Sequence, residues 1–231
     1  DDNNEFECHD NDADGCDECA SGTDVGTDSE CDYDISIALG EGANLISFNA
    51  LPDDVSVSSI FAGTDGVIGE GVGAVNLNGN WIGSLTHVSQ DDGYWVKTSS
   101  AMTLELTNAE PVNYDADGEV EYEMHVGNNL VSYPFQSSQS IDDGLGDSAA
   151  NVYAIAGQGV AALAINGTFV GSLTDFEAEN GYWVVASQDF DFSYAGVSEG
   201  LTRSKTSTLR TVPTAYRFTQ SDQQSFFFIN S

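Results

Sequence analysis

Apolar and polar residues alternate over short stretches of this chain, and glycine-rich turns separate the stretches. Ile35, Ile37 and Leu39 are each followed by a small or polar residue, and the same alternation returns at 120–124. A period of two residues indicates a strand with one buried face. The pattern therefore predicts a mainly β fold with little helix.

Two stretches of the sequence are near copies. Residues 42–48 (GANLISF) return at 127–133 (GNNLVSY), an offset of 85, and residues 79–86 return at 167–174 with an offset of 88. The motif Gly-Tyr-Trp-Val at 93–96 returns at 181–184, again at 88. The repeat predicts two homologous small β-sandwich or barrel modules, joined in tandem.

Turn residues mark the strand ends within each module. Asn78-Gly79 and Asn166-Gly167 lie between apolar segments, which is the strongest short signal for a hairpin. Gly71 and Gly159 are predicted in glycine-rich strands with bulges or tight curvature. Residues 53–62 and 138–145 each predict one short helical turn capped by Ser or Asp. Composition and repeats together divide the chain into segments 1–34, 35–110, 111–118, 119–196 and 197–231.

The chain is strongly acidic, with five Lys and Arg against 38 Asp and Glu and a formal net charge of -33. Such a chain repels phosphate backbones and anionic lipid, so we expect neither nucleic-acid binding nor membrane-surface binding. No apolar run approaches the ~20 residues needed to span a bilayer, so we also expect no membrane insertion. Outside residues 1–34 the charge is typical of solvation in salty water, and inside them it favours divalent cations. No signal peptide is visible, and we interpret the chain as a mature or trimmed product.

All four cysteines lie in the acidic amino-terminal segment, which has almost nothing to bury and needs cross-links or a metal to hold a shape. The cysteines are Cys8, Cys16, Cys19 and Cys31. They contain one CxxC, whereas a zinc ribbon normally has two, so two disulfides in an oxidising compartment are favoured over Zn²⁺. Three pairings remain open.

The same segment contains the run Asp10-Asn11-Asp12-Ala13-Asp14-Gly15. Alternate carboxylates around a tight glycine turn suit Ca²⁺, so Asp10, Asp12 and Asp14 are predicted ligands. The alternative is a solvated acidic tail. Position twelve of the loop is Ser21, so the bidentate Glu of an EF-hand is missing, and further oxygens are expected from Asp17 and Glu18. A similar but weaker motif, NYDADG at 113–118, lies between the repeats. It predicts a second calcium site at Asn113, Asp115 and Asp117, with an ordinary Asp-Gly turn as the alternative.

Two resemblances follow from these motifs. The acidic run resembles the calcium repeats of thrombospondin type 3, over about 25 residues. The modules resemble the Gly-x-Asn-Leu-Ile-Ser…Gly-Tyr-Trp-Val units of secreted, multidomain surface proteins of environmental bacteria, over residues 35–195. These resemblances imply secretion to the cell surface or extracellular space, modular assembly and no catalytic residues.

The repeated aromatics are a second candidate for binding. Trp95 and Trp183 are predicted in the core, and Tyr94 and Tyr182 must then face outward, because neighbouring residues of a strand point to opposite sides. An outward Tyr pair could contact glycans. Core packing of the aromatics is the alternative and the stronger interpretation for the tryptophans.

The carboxy-terminal segment is predicted to be a basic linker followed by a β-hairpin that has no third strand to pair with. Its strand-forming residues are Phe218, Phe226, Phe227, Phe228 and Ile229. Two strands alone are marginal in water, so the segment is predicted either to begin a third module or to donate a strand to a neighbouring copy.

No catalytic motif assembles in the sequence, and the three histidines are interpreted as isolated. We therefore expect a non-enzymatic, calcium-stabilised structural or adhesion protein, with self-assembly into a filament as one form and other modules of a longer chain as alternative partners. The runner-up is a glycan-binding accessory module of a larger secreted protein.

Overall fold

The computed structural model describes residues 33–111 and 121–194. These residues form antiparallel sheets joined by turns and short helices, which confirms the mainly β fold. Both repeats belong to one compact unit that ends at Val197. The predicted cysteine and calcium segment, the second acidic loop and the carboxy-terminal hairpin lie outside the described residues.

Repeat 1 folds into two sheets around one core. Its elements are β1 (Tyr33–Leu39), β2 (Gly42–Ile46), β3 (Ala50–Leu51), α1 (Val57–Ile60), β4 (Gly66–Ile68), β5 (Gly73–Leu77), β6 (Asn80–Gly83), β7 (Tyr94–Thr98) and β8 (Met102–Pro111). The larger sheet has the strand order β2-β7-β4-β5-β6 and the smaller has the order β1-β8-β3. The predicted alternation in β1 is confirmed, because Ile35, Ile37 and Leu39 are buried in the core shared with the larger sheet.

Repeat 2 follows the same plan. Its elements are β9 (Tyr122–Met124), β10 (Gly127–Val131), β11 (Gln139–Ser140), α2 (Ile141–Leu145), a 3₁₀ helix (Gly146–Asn151), β12 (Val152–Gly157), β13 (Val160–Ile165), β14 (Thr168–Gly171), β15 (Asp175–Phe176), β16 (Tyr182–Ala186) and β17 (Phe190–Phe192). Its five-stranded sheet, β10-β16-β12-β13-β14, matches that of repeat 1 strand for strand. The pairs β17-β9 and β11-β15 complete the described part of the module.

Both predicted Asn-Gly hairpins are present. Asn78 and Gly79 have φ of 55° and 88°, and Asn166 and Gly167 have φ of 53° and 80°. Two consecutive positive φ values match the twist of the flanking strands, which is why Asn-Gly occupies this turn. Gly71 and Gly159 differ from the prediction, since they lie in the turns before β5 and β13 with φ of 68° and 75°.

The helical turns are also confirmed, and each begins at a serine cap. The Ser56 hydroxyl accepts from the Ser59 N–H at 3.3 Å, and the Ser140 hydroxyl accepts from the Asp143 N–H at 3.1 Å. These bonds satisfy amide groups that have no partner within the helix.

The predicted facing of the repeated aromatics is wrong. Tyr94 and Tyr182 are buried, at 0% and 2% exposure, whereas Trp95 and Trp183 are only partly buried on the opposite side of their strands. Each tyrosine packs against aromatic rings of the core. The ring centroids of Phe61 and Tyr94 are 5.9 Å apart, and those of Phe176 and Tyr182 are 5.0 Å apart. In this conformation the tyrosines cannot contact a glycan.

A polar anchor explains why tyrosine is buried and tryptophan is not. The Tyr94 hydroxyl accepts from the Ser89 N–H at 2.7 Å, and the Tyr182 hydroxyl accepts from the equivalent Glu177 N–H at 2.8 Å. A phenol can be buried when its oxygen has a partner, and here the partner is a loop amide that an indole N–H, a donor only, could not satisfy.

Candidate functional site

The two modules meet through reciprocal backbone contacts. The Ser47 N–H donates to the Glu179 carbonyl at 2.9 Å, and the equivalent Ser132 N–H donates to the Asp91 carbonyl, also at 2.9 Å. Residue 132 is 85 positions after residue 47, and residue 179 is 88 positions after residue 91, so the two bonds are the same contact made twice. Such an isologous arrangement is what a two-fold dimer has, here within one chain.

Further pairs repeat this symmetry. Isolated antiparallel bridges join Ile46 to Asn180 and Val131 to Asp92. Beside each bridge a side chain crosses between modules. The Gln158 carboxamide oxygen accepts from the Leu45 N–H at 2.8 Å.

The equivalent crossing contact in the other direction involves a carboxylate. Glu70 Oε2 accepts from the Leu130 N–H at 2.6 Å. Because a charged acceptor makes the stronger hydrogen bond, this half of the contact gains more than the Gln158 half.

Two equivalent glycines allow the close approach. A Cβ at Gly93 would lie 2.9 Å from both Leu130 Cδ1 and the Val131 carbonyl oxygen. A Cβ at Gly181 would lie 2.7 Å from the Ile46 carbonyl oxygen and 3.1 Å from Leu45 Cδ1. These distances leave no room for a side chain, so glycine at both positions is a requirement of the module contact. The glycine that begins each Gly-Tyr-Trp-Val motif is therefore needed for the two modules to pack against each other.

One part of the contact has no counterpart. His125 Nε2 lies 2.6 Å from Glu70 Oε1, so one carboxylate holds both the histidine and the Leu130 amide of the other module. The hydrogen bond at the Val126 carbonyl, and after it the Glu70 carboxylate, raise the pKa of His125. The interpretation of His125 as isolated is wrong, while its equivalent in repeat 1 is Gly40.

Asp92 lies beside this pair in an unfavourable setting for a charge. Burial, and after it the neighbouring Asp91 carboxylate, raise its pKa to about 6. The Tyr94 hydroxyl donates to Asp92 Oδ2 at 3.3 Å and partly offsets the effect. Ionisation of Asp92 would therefore add a negative charge to the contact beside the carboxylates of Asp91 and Glu70.

Each five-stranded sheet also has an outer face, turned away from its core. In repeat 1 the register places Trp95 beside Ile68, and Val75 beside Ile82. The large exposed apolar residues of this face are Ile68 (60%), Val75 (46%), Leu77 (52%) and Ile82 (60%). In repeat 2 they are Leu163 (53%), Ile165 (53%) and Val170 (55%), with Trp183 at the position of Trp95.

The outer faces carry no acidic residue at their outward strand positions. In repeat 1 these positions are Ala43, Leu45, Gly66, Ile68, Gly73, Val75, Leu77, Asn80, Ile82, Trp95 and Lys97. In repeat 2 they are Asn128, Leu130, Ala154, Ala156, Ala161, Leu163, Ile165, Thr168, Val170, Trp183 and Val185. In a chain with 38 Asp and Glu, two acid-free faces at equivalent places are a specific feature.

No three His, Cys, Asp or Glu side chains of residues 33–111 and 121–194 come together in a way that could hold a metal ion. In the same ranges no helix has the length and apolarity to cross a bilayer. His87 Nδ1 lies 3.0 Å from the Thr86 hydroxyl, and the His87 backbone forms an antiparallel bridge with Ser56.

The sequence interpretation missed both the module contact and the outer faces. Signals for them were present: the paired Gly93 and Gly181, and apolar residues at Ile82 and Val170 on strands whose other side carries Trp81 and Phe169. No family model, curated protein or solved structure matches the chain.

Proposed function

We propose that this chain is a non-catalytic structural or adhesion protein of the cell surface or extracellular space, stabilised by calcium and self-assembling into a filament. The observation that supports it most directly is the reciprocal contact between the repeats. Two modules fixed in one orientation make a stiff building block, which suits a structural role.

The buried polar groups at the contact support a structural use as well. The Ser47 hydroxyl donates to the Asn180 carbonyl at 2.8 Å and accepts from the Tyr133 N–H at 3.1 Å. The Ser132 hydroxyl bonds the Tyr122 hydroxyl at 2.8 Å. Each hydroxyl is engaged in holding backbone and side chains in place, with 0% exposure.

Calcium binding is proposed from two acidic motifs of the amino-acid sequence. Asp10, Asp12 and Asp14 with Asp17 and Glu18 form one acidic loop, and Asn113, Asp115 and Asp117 form the second. Hard carboxylate and amide oxygens at alternate positions are the ligands that Ca²⁺ takes. Bound calcium would also neutralise part of the net charge of -33 and so favour association of copies.

Electron microscopy of the purified chain, with millimolar calcium and with chelator, tests the proposal. We expect ordered filaments with calcium that fray when it is removed. The variant Asp12→Asn with Asp14→Asn should behave as the wild type does in chelator, and Asp53→Asn, an exposed acid on repeat 1, is the matched control. Dispersed particles in every condition would contradict the filament.

A glycan-binding accessory module is the second candidate, and one observation favours it. Trp95 and Trp183, in place of the tyrosines, lie partly exposed on the outer faces. Sedimentation with insoluble polysaccharides tests this function, since binding that is lost in Trp95→Ala with Trp183→Ala and kept in Ser100→Ala would support it. Ser100 is exposed and lies outside the strands of the two sheets, so it serves as the control.

A further inference from the structure

We propose that the outer faces of the two five-stranded sheets are docking surfaces for second copies of this chain, so that each copy has two contacts. The inference rests on the proposed self-assembly and identifies the surfaces that perform it. Three observations carry it: continuity with the module contact, the absence of acid, and the aliphatic composition of the faces.

The faces are continuous with a contact that already exists. Leu45 is the cross-strand partner of Trp95 on the outer face of repeat 1, and Leu130 is the partner of Trp183 in repeat 2. Both leucines are 2% exposed. Neither belongs to the core cluster of its own module, and they are covered at the contact where Gly181 and Gly93 approach. One end of each face thus already packs against a homologous module.

The charge pattern agrees with a protein partner of the same kind. Two copies with a net charge of -33 repel each other except where they present uncharged surface. The outer faces supply this surface, and Lys97, at an outward position on β7, is the first basic residue of the chain. Association should therefore strengthen as salt or calcium screens the surrounding carboxylates.

The composition of the faces favours a second copy over a sugar. Each outer face has one partly buried tryptophan among aliphatic side chains, and the remaining exposed ring of these sheets is Tyr153, at a bulge of β12. Ile, Val and Leu at alternate positions of a sheet are what two sheets use when they pack face to face at about 10 Å. The face of a second copy is the surface that matches this pattern.

Two equivalent faces on one rigid pair of modules make each copy bivalent. A bivalent copy continues an assembly, whereas one with a single face ends it. This difference gives a sharp test, because equivalent residues can be changed one face at a time. Ile82 and Val170 occupy the same position in the two modules and are exposed, so charged substitutions there leave the cores intact.

The experiment is sedimentation velocity of the full chain at about 0.5 M salt with millimolar calcium. We expect the wild type to form species larger than dimers. Ile82→Glu and Val170→Glu should each weaken association more than about tenfold, since an unpaired charge would be buried on docking. Each single variant then stops at dimers if like faces pair, or at monomers if repeat 1 docks on repeat 2, and the double variant is monomeric.

Two controls keep the interpretation specific. Ser100→Glu adds the same charge at an exposed position away from the faces and should assemble as the wild type does. Leu77→Ser and Ile165→Ser, again an equivalent pair, remove apolar surface without adding charge and should weaken association in the same direction. Near-ultraviolet circular dichroism of each variant checks that it is folded.

The outcomes separate this inference from the proposed function. Unchanged assembly of the folded double variant would overturn the docking surfaces and leave the filament intact. A wild type that stops at dimers would overturn the arrangement with two contacts per copy and would contradict the filament as well. A wild type that is monomeric throughout would overturn both.

Discussion

At the scale of single residues, buried polar groups determine which side of a strand faces the core. Tyr94 and Tyr182 lie inside because their hydroxyls accept hydrogen bonds from backbone N–H groups of loops. Two further phenol groups form hydrogen bonds with Ser132, one with its hydroxyl and one with its carbonyl. Those phenols belong to Tyr122 and Tyr194, which stand where repeat 1 has Ile37 and Leu106. The same fold therefore accepts either two aliphatic residues or two hydrogen-bonded tyrosines at these core positions.

Replacing Tyr94 by Phe should destabilise the protein by about 1–3 kcal/mol, because the Ser89 N–H loses its acceptor. Tyr182→Phe should do the same through the Glu177 N–H. Urea unfolding measures the effect, and Tyr153→Phe, at an exposed site, should change stability by less than about 0.5 kcal/mol. Equal stability of all three variants would mean that these hydroxyls do not anchor the loops.

Asp92 should make stability fall as pH rises. Its pKa is raised to about 6, so the protonated form is favoured in the folded state. That contribution is complete below the pKa of an unfolded carboxyl, near 4, and is lost as pH passes through about 6. The raised pKa of His125 acts in the same direction, because its protonated form is bonded to Glu70.

The variant Asp92→Asn should therefore be more stable than the wild type at pH 7.5, by on the order of 1 kcal/mol after allowance for solvent screening. At pH 4 the two should be nearly equal. Unfolding followed between pH 4 and 8 measures this, with Asp53→Asn as the control for loss of one acidic charge. A wild-type profile that rises over this range would contradict the assignment.

At the scale of elements, hairpins with glycine at fixed positions shape both five-stranded sheets. The Gly73 carbonyl accepts from both the Ser84 and the Leu85 N–H, at 2.8 and 3.1 Å, and the Ala161 carbonyl does the same in repeat 2. Two donors on one acceptor form a bulge at the end of the returning strand. A Cβ at Gly83 would collide with the Gly73 carbonyl oxygen, so the bulge requires glycine there.

Gly83→Ala should cost about 3 kcal/mol or more, because the collision is with backbone that cannot rotate away. Gly79→Ala in the neighbouring turn meets open space and bears only the penalty of φ at 88°, about 1–2 kcal/mol. Thermal unfolding compares the two. A larger loss for Gly79→Ala would show that turn conformation, and not the bulge, limits the hairpin.

At the scale of the whole described unit, the two repeats form an internal two-fold pair. The reciprocal bonds at Ser47 and Ser132 and the matched glycines make the contact self-complementary. The chain achieves in one molecule what a homodimer achieves with two, so the contact forms at any protein concentration. Backbone contacts at both ends of the interface restrain the relative orientation of the modules.

Gly181→Ala should uncouple the modules, since a Cβ there overlaps the Ile46 carbonyl oxygen. We expect the wild type to unfold in a single calorimetric transition and Gly181→Ala to unfold in two, with Gly93→Ala in the same chain widening the separation. Gly40→Ala is the matched control, because its Cβ would meet Asn44 Oδ1 at an ordinary 3.7 Å. One unchanged transition in the double variant would contradict a coupling role for these glycines.

Several features of this protein follow from local sequence. The repeat at offsets of 85 and 88, the period-two strands, the Asn-Gly hairpins and the serine caps could all be recognised, because each depends on residues close together in the chain. The calcium, disulfide and assembly predictions are of the same local kind and remain predictions.

Other features depend on partners far apart in sequence. The burial of Tyr94 over Trp95 was decided by the Ser89 amide and the Phe48–Phe61 cluster, which alternation alone cannot reveal. The pairing of His125 with Glu70 joins residues 55 positions apart in different modules. The sequence by itself determined two β modules and their turns, whereas only the tertiary structure decided that they form a two-fold pair with acid-free outer faces, because that depends on which surfaces meet in space.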